Sequence, residues 1–313
     1  MNGGQWNGRQ RRGRFRWDRL ALVVVFAGLM IWGLAKLIGY GADLIASRRT
    51  NQELQEIYHE ETAAPAPIAT FAPTNPPATT LPTTAPTSEP TVPPMLGAVK
   101  YPGNPDAKIS GRFKALRKEN KDILGWLTVN TLLDEAVVQR DEVFYMDHDS
   151  LGKPNVNGAV FLDSSISLKT RPYSLVLYGH NMKTGAMFGS LRNFENIGFY
   201  HSNPFIQFNS MYEDGRYVVF AVGNISTEPR TRNYIDFFSL TSNRVQERQN
   251  AIDALIAASV HTCPIDVQLD DQLLILVTCT EKDSERRMVA ARRVRDGENE
   301  NALKERVSWS RKK

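Results

Sequence analysis

Residues 173–180 read YSLVLYGH and residues 273–279 read LLILVTC. Each is a short aliphatic and β-branched run that stops on a side chain capable of chemistry, His180 in one and Cys279 in the other. Runs of this length, bounded by polar or Gly/Pro-containing segments, predict strands. EAVVQR, GAVFLD, FIQFN, YVVFAVGNI and RMVAARRV have the same form. Seven such strands predict a mainly β domain, a sheet closed into a barrel or packed as a sandwich. One segment interrupts them: in NRVQERQNAIDALIAAS at 243–259, Val245, Ile252, Leu255, Ile256 and Ser259 fall on one face of a predicted amphipathic helix. Upstream, AKISGRFKALRKENKDILGWLTV at 107–129 carries Phe113, Leu116, Ile123, Leu124 and Leu127 at mostly helical spacing, which predicts one or two opening helices.

Further towards the N-terminus the character of the chain changes. Residues 20–42, LALVVVFAGLMIWGLAKLIGYGA, are apolar except for Lys36, and about 20 such residues cross a bilayer. A transmembrane helix is predicted here. Six arginines precede it and only Arg48 and Arg49 follow closely, so the N-terminus is expected in the cytoplasm and the rest outside. The net charge of +4 conceals that asymmetry. Residues 63–97 are mostly Pro, Thr and Ala, a composition that buries too little surface to fold and suits an extended spacer or a glycosylated stalk. The expected organisation is a basic tail (1–19), the span (20–42), an extracellular linker (43–106), a strand-rich domain (107–296) and a polar C-terminal tail (297–313).

With 42% apolar and 23% charged residues, the chain is neither wholly disordered nor fibrous. Two cysteines, Cys263 and Cys279, exclude a disulfide framework and a cysteine-only zinc site, which takes four ligands. There is no phosphate-cradling glycine loop and no zinc-type His/Glu pair on a helix. What remains is a thiol and an imidazole at two strand ends, 99 positions apart, that can meet only through folding. Arg287, eight residues after Cys279, opens the run RMVAARRV. If that run returns antiparallel to the cysteine's strand, its guanidinium comes back to the same end and can stabilise an oxyanion. Arg286 adjoins it.

The stretches YGHNMKTGAMFGSL at 178–191 and LLILVTC at 273–279, with the arginine that follows, resemble the His, Cys and Arg motifs of the sortases. Class B members, membrane-anchored cysteine transpeptidases of Gram-positive bacteria, are the more specific likeness. The similarity continues through DILGWLTV, AVVQRDEVFYMDH, GAVFLD and GFYHSNPFIQF and covers about residues 110–295. It implies an eight-stranded sortase β-barrel with flanking helices, no metal or organic cofactor, and Cys279 as nucleophile. His180 is then the general acid and base, Arg287 the oxyanion stabiliser, and Thr278 and Asn181 the neighbouring substrate contacts. The implied reaction cleaves a C-terminal sorting motif of secreted proteins after Thr and passes the acyl group to a peptidoglycan amine. The implied partners are sorted proteins, peptidoglycan or its lipid-linked precursor, and the membrane, with no nucleic acid. A pilus-joining variant using a lysine amine, a hydrolytic peptidase and a non-catalytic tethered barrel are the competing readings. One departure is Val277, where the family usually carries a hydroxyl. Cys263, in HTCPIDV, is expected to stay apart from Cys279.

Overall fold

The structure is a computed structural model that describes residues 17–63, 95–141, 143–231, 233–280 and 284–313, with side chains except at 17–24, 61–63, 237, 238 and 279. The arginine-rich tail, most of the Pro/Thr-rich segment and the polar loop 281–283 lie outside these residues. In chain order the elements are α1 (Trp17–Ala63), α2 (Gly111–Glu119), β1 (Ile123–Val129), β2 (Leu133–Val138), a 3-10 turn at Phe144–Met146, β3 (Val160–Leu162) and β4 (Ser174–Tyr178). A 3-10 helix at Phe188–Glu195, α3 (Ile197–Ser202), β5 (Phe205–Ser210), β6 (Asp214–Ser226), α4 (Phe237–Thr241) and α5 (Val245–Ala258) follow. The chain closes with β7 (His261–Thr262), β8 (Leu273–Cys279), β9 (Glu285–Arg293), α6 (Glu300–Ser308) and β10 (Arg311–Lys312).

Eight strands close into a barrel in the order β1-β2-β3-β4-β8-β9-β6-β5, as expected of the sortase fold, and β5 pairs back onto β1. Neighbours are antiparallel except β2 with β3 and β4 with β8. The eighth strand is β1, which the helical reading of 107–129 missed. Leu127 and Val129 belong to the main core while Ile123 and Trp126 pack in a second cluster on the other face. A strand buried on both faces reads as a continuous apolar run, and its spacing can imitate a helix.

The second cluster corrects the expected linker. The chain divides at Ile45, and residues from Ala46 onward belong to the barrel's own unit. Leu54 is fully buried, Tyr58 stacks on Trp126 with ring centroids 4.3 Å apart, and both join Phe113 and Leu116 of α2 in covering β1 and β2. Asn51 and Gln55 donate to the Asp134 carbonyl, and Thr50 donates to Asp149. Residues 95–106 are folded too: Met95 and Val99 bridge to Arg244 and Arg171, and Tyr101 donates to the Leu168 carbonyl. The Pro/Thr-rich segment is therefore flanked on both sides by residues packed in the same unit. The expected polar tail is likewise structured. Asn299 caps α6, Leu303 and Val307 bury its inner face, and β10 pairs with β7.

The N-terminal unit, taken by itself, is a helix with bare apolar side chains: Met30, Ile31 and Leu37 are 76%, 70% and 70% exposed. It is long and apolar enough to cross a membrane, with a mean hydropathy of 1.5 in its candidate span, which fits a single-pass anchor.

Candidate active site

The site is assembled by the parallel pairing of β4 and β8. Their register runs from Ser174↔Leu273 to Tyr178↔Val277. The Gly179 N–H still donates to the Val277 carbonyl, and His180 follows directly, just past the end of β4, while Cys279 ends β8. The 98 residues between them contain the crossover that parallel neighbours require. β9 then returns antiparallel on the other side of β8, with Cys279↔Arg286 and Thr278↔Arg287 as cross-strand pairs. Because cross-strand partners share a face and successive residues alternate, β8 and β9 carry two rows. One holds the positions of Cys279 and Arg286; the other holds Thr278 and Arg287, extended by Asn224 of β6.

His180 is half-buried and firmly seated. Its Nε2 lies 2.6 Å from the Met146 carbonyl, which can only accept, so Nε2 carries the proton and the neutral ring keeps its lone pair at Nδ1. Gly158 makes room for the ring: at φ +61° a Cβ there would meet His180 Cδ2 at 3.0 Å and the Tyr145 carbonyl at 2.6 Å. On the other side a Cβ on Gly179 would meet the Phe188 ring at 2.9 Å. The loop after the histidine is closed by a bridge between Asn181 and Met187, the latter at φ 49°, a strained conformation for a non-glycine residue.

The other expected residues separate. Arg287 Nε donates to Glu195 Oε1 at 2.7 Å, within the 3-10 helix that follows the histidine loop. Thr278, expected to touch substrate, is 2% exposed with its Oγ1 buried and unpartnered, so a peptide could reach it only through the backbone. Asn181 stays half-buried at the loop mouth. Cys263 is a free thiol whose Sγ lies 2.9 Å from the Tyr200 hydroxyl, and burial holds that phenol well above its ordinary pKa. Among the described residues no cluster of three or more His, Cys, Asp or Glu could hold a metal ion. Sequence reasoning missed Met146, Gly158 and Glu195. Gly158 carried a signal, a glycine heading a strand, but nothing marked the Met146 carbonyl.

Position 279 ends β8 at the rim of the closed eight-stranded barrel, with His180 just past the neighbouring β4 and two arginines on β9. The sortase domain family matches residues 130–294, more than half of the chain, and the chain belongs to the sortases. Within that family its relatives are sortases B. It is 29% identical over 192 residues to sortase B of Listeria monocytogenes serovar 1/2a (strain ATCC BAA-679 / EGD-e), covering 59% of this chain and 75% of that one. It is 29% identical over 178 residues to sortase B of Staphylococcus aureus (strain NCTC 8325 / PS 47), covering 56% and 70%. The crystal structure of S. aureus sortase B superposes with a TM-score of 0.54 at 26% identity, over 60% of this chain and 89% of that one. A Bacillus anthracis protein similar to sortase B gives a TM-score of 0.59 over 80% and 96%, and at 24% identity speaks to the fold.

Proposed function

We propose that the chain anchors secreted proteins to the cell wall by transpeptidation, with Cys279 as nucleophile, His180 as general acid and base, and Arg286 as oxyanion stabiliser. The parallel pairing of β4 with β8, which runs to within two residues of His180 and Cys279, and the pairing of Cys279 with Arg286 carry this reading. It revises the expected arginine by one position. The earlier expectation of Arg287 rested on the return of the chain, which brings both arginines to the same end. The pleat then separates them, with Arg286 on the thiol's row and Arg287 tied to Glu195.

The Cys279 thiol passes its proton to His180 Nδ1, and the thiolate attacks the threonyl carbonyl carbon of a sorting motif. Negative charge gathers on the carbonyl oxygen, where a guanidinium held by strand pairing stabilises it without reorganising. The C–N bond breaks as the His180 imidazolium protonates the departing amine, leaving a thioester. An amine of a peptidoglycan stem or cross-bridge then gives a proton to His180, attacks the thioester and expels the thiolate. The Met146 carbonyl keeps Nε2 protonated throughout, so one ring nitrogen does all the proton transfer. An apolar helix ahead of the domain suits substrates presented at the outer face of the membrane.

The test is to incubate the detergent-solubilised chain with a library of sorting-motif peptides and amine acceptors and read products by mass spectrometry. Amide products formed after Thr and lost with Cys279→Ala are expected. Peptide binding with no acyl transfer in any arm would favour a tethered binding module.

A further inference from the structure

Arg287 and Glu195 stand outside the mechanism, yet they join its two halves. The β4 ladder ends at Tyr178, so the loop bearing His180 is held to the sheet by other means. That loop is fastened to the 3-10 helix at its start: Gly179 abuts the Phe188 ring, Asn181 bridges Met187, and Gly189 packs so closely under Met182 that a Cβ would lie 2.1 Å from its carbonyl oxygen. Seven residues after Phe188, at the other end of the same short helix, Glu195 accepts from Arg287. The helix is thus a bar with one end against the residues flanking His180 and the other against β9, one residue from Arg286.

The arginine end is set in a polar but unsatisfied surround. Across the ladder Arg287 faces Thr278 and Asn224, whose Oγ1 and Oδ1 are buried without partners, and the Arg287 side chain is 15% exposed. A guanidinium so far out of water needs its carboxylate, and removing one partner leaves the other charge uncompensated. We infer that the Arg287–Glu195 pair is a positioning clamp that fixes the His180 loop relative to Cys279 and Arg286. The inference rests on the catalytic assignment above. Neither residue is catalytic, since both act through the placement of His180.

The test uses the full chain in detergent with Arg287→Gln, Glu195→Gln, the double variant and the conservative Arg287→Lys. Each single Gln variant should lower kcat about 10- to 100-fold with KM for the sorting peptide unchanged, as expected when a reacting group is misplaced. The double variant should lose no more than either single one, because the two residues act as a unit. Arg287→Lys should recover part of the loss. The rate of Cys279 alkylation by iodoacetamide should shift to higher pH in the Gln variants, towards the free-thiol pKa of about 8.5, as the imidazolium moves off the thiolate. A purely structural pair would lower the melting temperature and leave the alkylation profile and kcat of the folded protein as in wild type, which would overturn the clamp. Should Arg287→Gln fail to fold, Glu195→Gln and Arg287→Lys decide the matter by the same readouts. A wild-type chain that alkylates at Cys279 yet transfers no acyl group would instead overturn the proposed function.

Discussion

The two ends of β9 are built on opposite principles. At the far end Arg292, with no exposed side-chain surface, makes a two-pronged pair with Glu298 at 2.7 Å and also donates to the Asp266 carbonyl. Arg295, just beyond the strand, grips Asp271 with two bonds and Asp266 with a third, all at 2.7 Å. At the near end Thr278 and Asn224 are left with unpartnered polar atoms, Met187 holds a strained backbone, and His180 stays half-buried. One end saturates its charges and anchors α6; the other leaves polar capacity unused. Buried groups without partners and strained residues cost stability and persist where a function requires them.

The largest effects should fall at the near end and leave folding alone. Cys279→Ala should abolish acyl transfer, and His180→Ala and Arg286→Ala should each lower single-turnover rates by about 100-fold or more. Denaturation midpoints should stay near wild type. If Arg286→Ala retained full rate while Arg287→Ala lost more than the Gln variant, the division of the two arginines between two rows would be wrong.

The far end should show the converse. Arg292→Ala removes the fully buried guanidinium and its bonds to Glu298 and the Asp266 carbonyl, leaving Glu298 to Arg295, and should cost about 3 kcal/mol in chemical denaturation. Acyl transfer per folded molecule should be unchanged. A fall in rate without a fall in stability would show that the two ends are not separate.

How much of this was legible follows from what each element displays in sequence. The strands flanking the proposed site announce themselves because each is a short apolar run that stops at or just before a proposed catalytic residue, as in SLVLYGH and LLILVTC. The choice between Arg286 and Arg287 was not legible, because it depends on how many residues the turn after Cys279 uses before pairing resumes. α5 exists as read, but its buried face is Arg248, Ala251, Ile252 and Leu255, while Ile256 is 43% exposed. Arg248 is fully enclosed because it donates to the Leu269, Tyr173 and Asp271 carbonyls, which periodicity cannot reveal. The docked half of α1 hid for a related reason. In SRRTNQELQEIYHEE only Leu54, Ile57 and Tyr58 are large and apolar, and the rest of the contact is made by Thr50, Asn51 and Gln55.

That docked half gives the next effect in size. Removing residues 1–45 should leave a folded domain, whereas removing residues 1–95 should uncover Trp126 and Phe113 and give an unstable or aggregating product. Within the full chain, Tyr58→Ala deletes the ring stacked on Trp126 and the hydroxyl that accepts from Asn209, at a cost of about 3 kcal/mol by thermal or chemical denaturation. An equally stable product from both truncations would show that the helix contact contributes nothing to the domain.

The smallest effect concerns the barrel wall between the two ends. Glu135 on β2 pairs across from Leu127 and shares a strand face with Leu133 and Val137 of the main core, so its carboxyl faces an apolar interior while remaining partly exposed. Loss of hydration pushes its pKa up to about 8, and the neighbouring Asp134 charge adds to the rise. A carboxyl raised on folding keeps its proton in the native state while the unfolded chain loses it, so stability falls as pH climbs from about 4.5 to about 8. Below that window both states are protonated and the group costs nothing extra. Glu135→Gln keeps the shape without the charge and should match wild type at pH 4.5 but exceed it at pH 8. The gain should be about 1–3 kcal/mol, below the full conversion at about 1.4 kcal/mol per pH unit because the carboxyl retains some water. Comparing variant with wild type at each pH cancels the titration of other groups. Urea midpoints that differ by the same amount at both pH values would mean that Glu135 is already charged in the folded barrel.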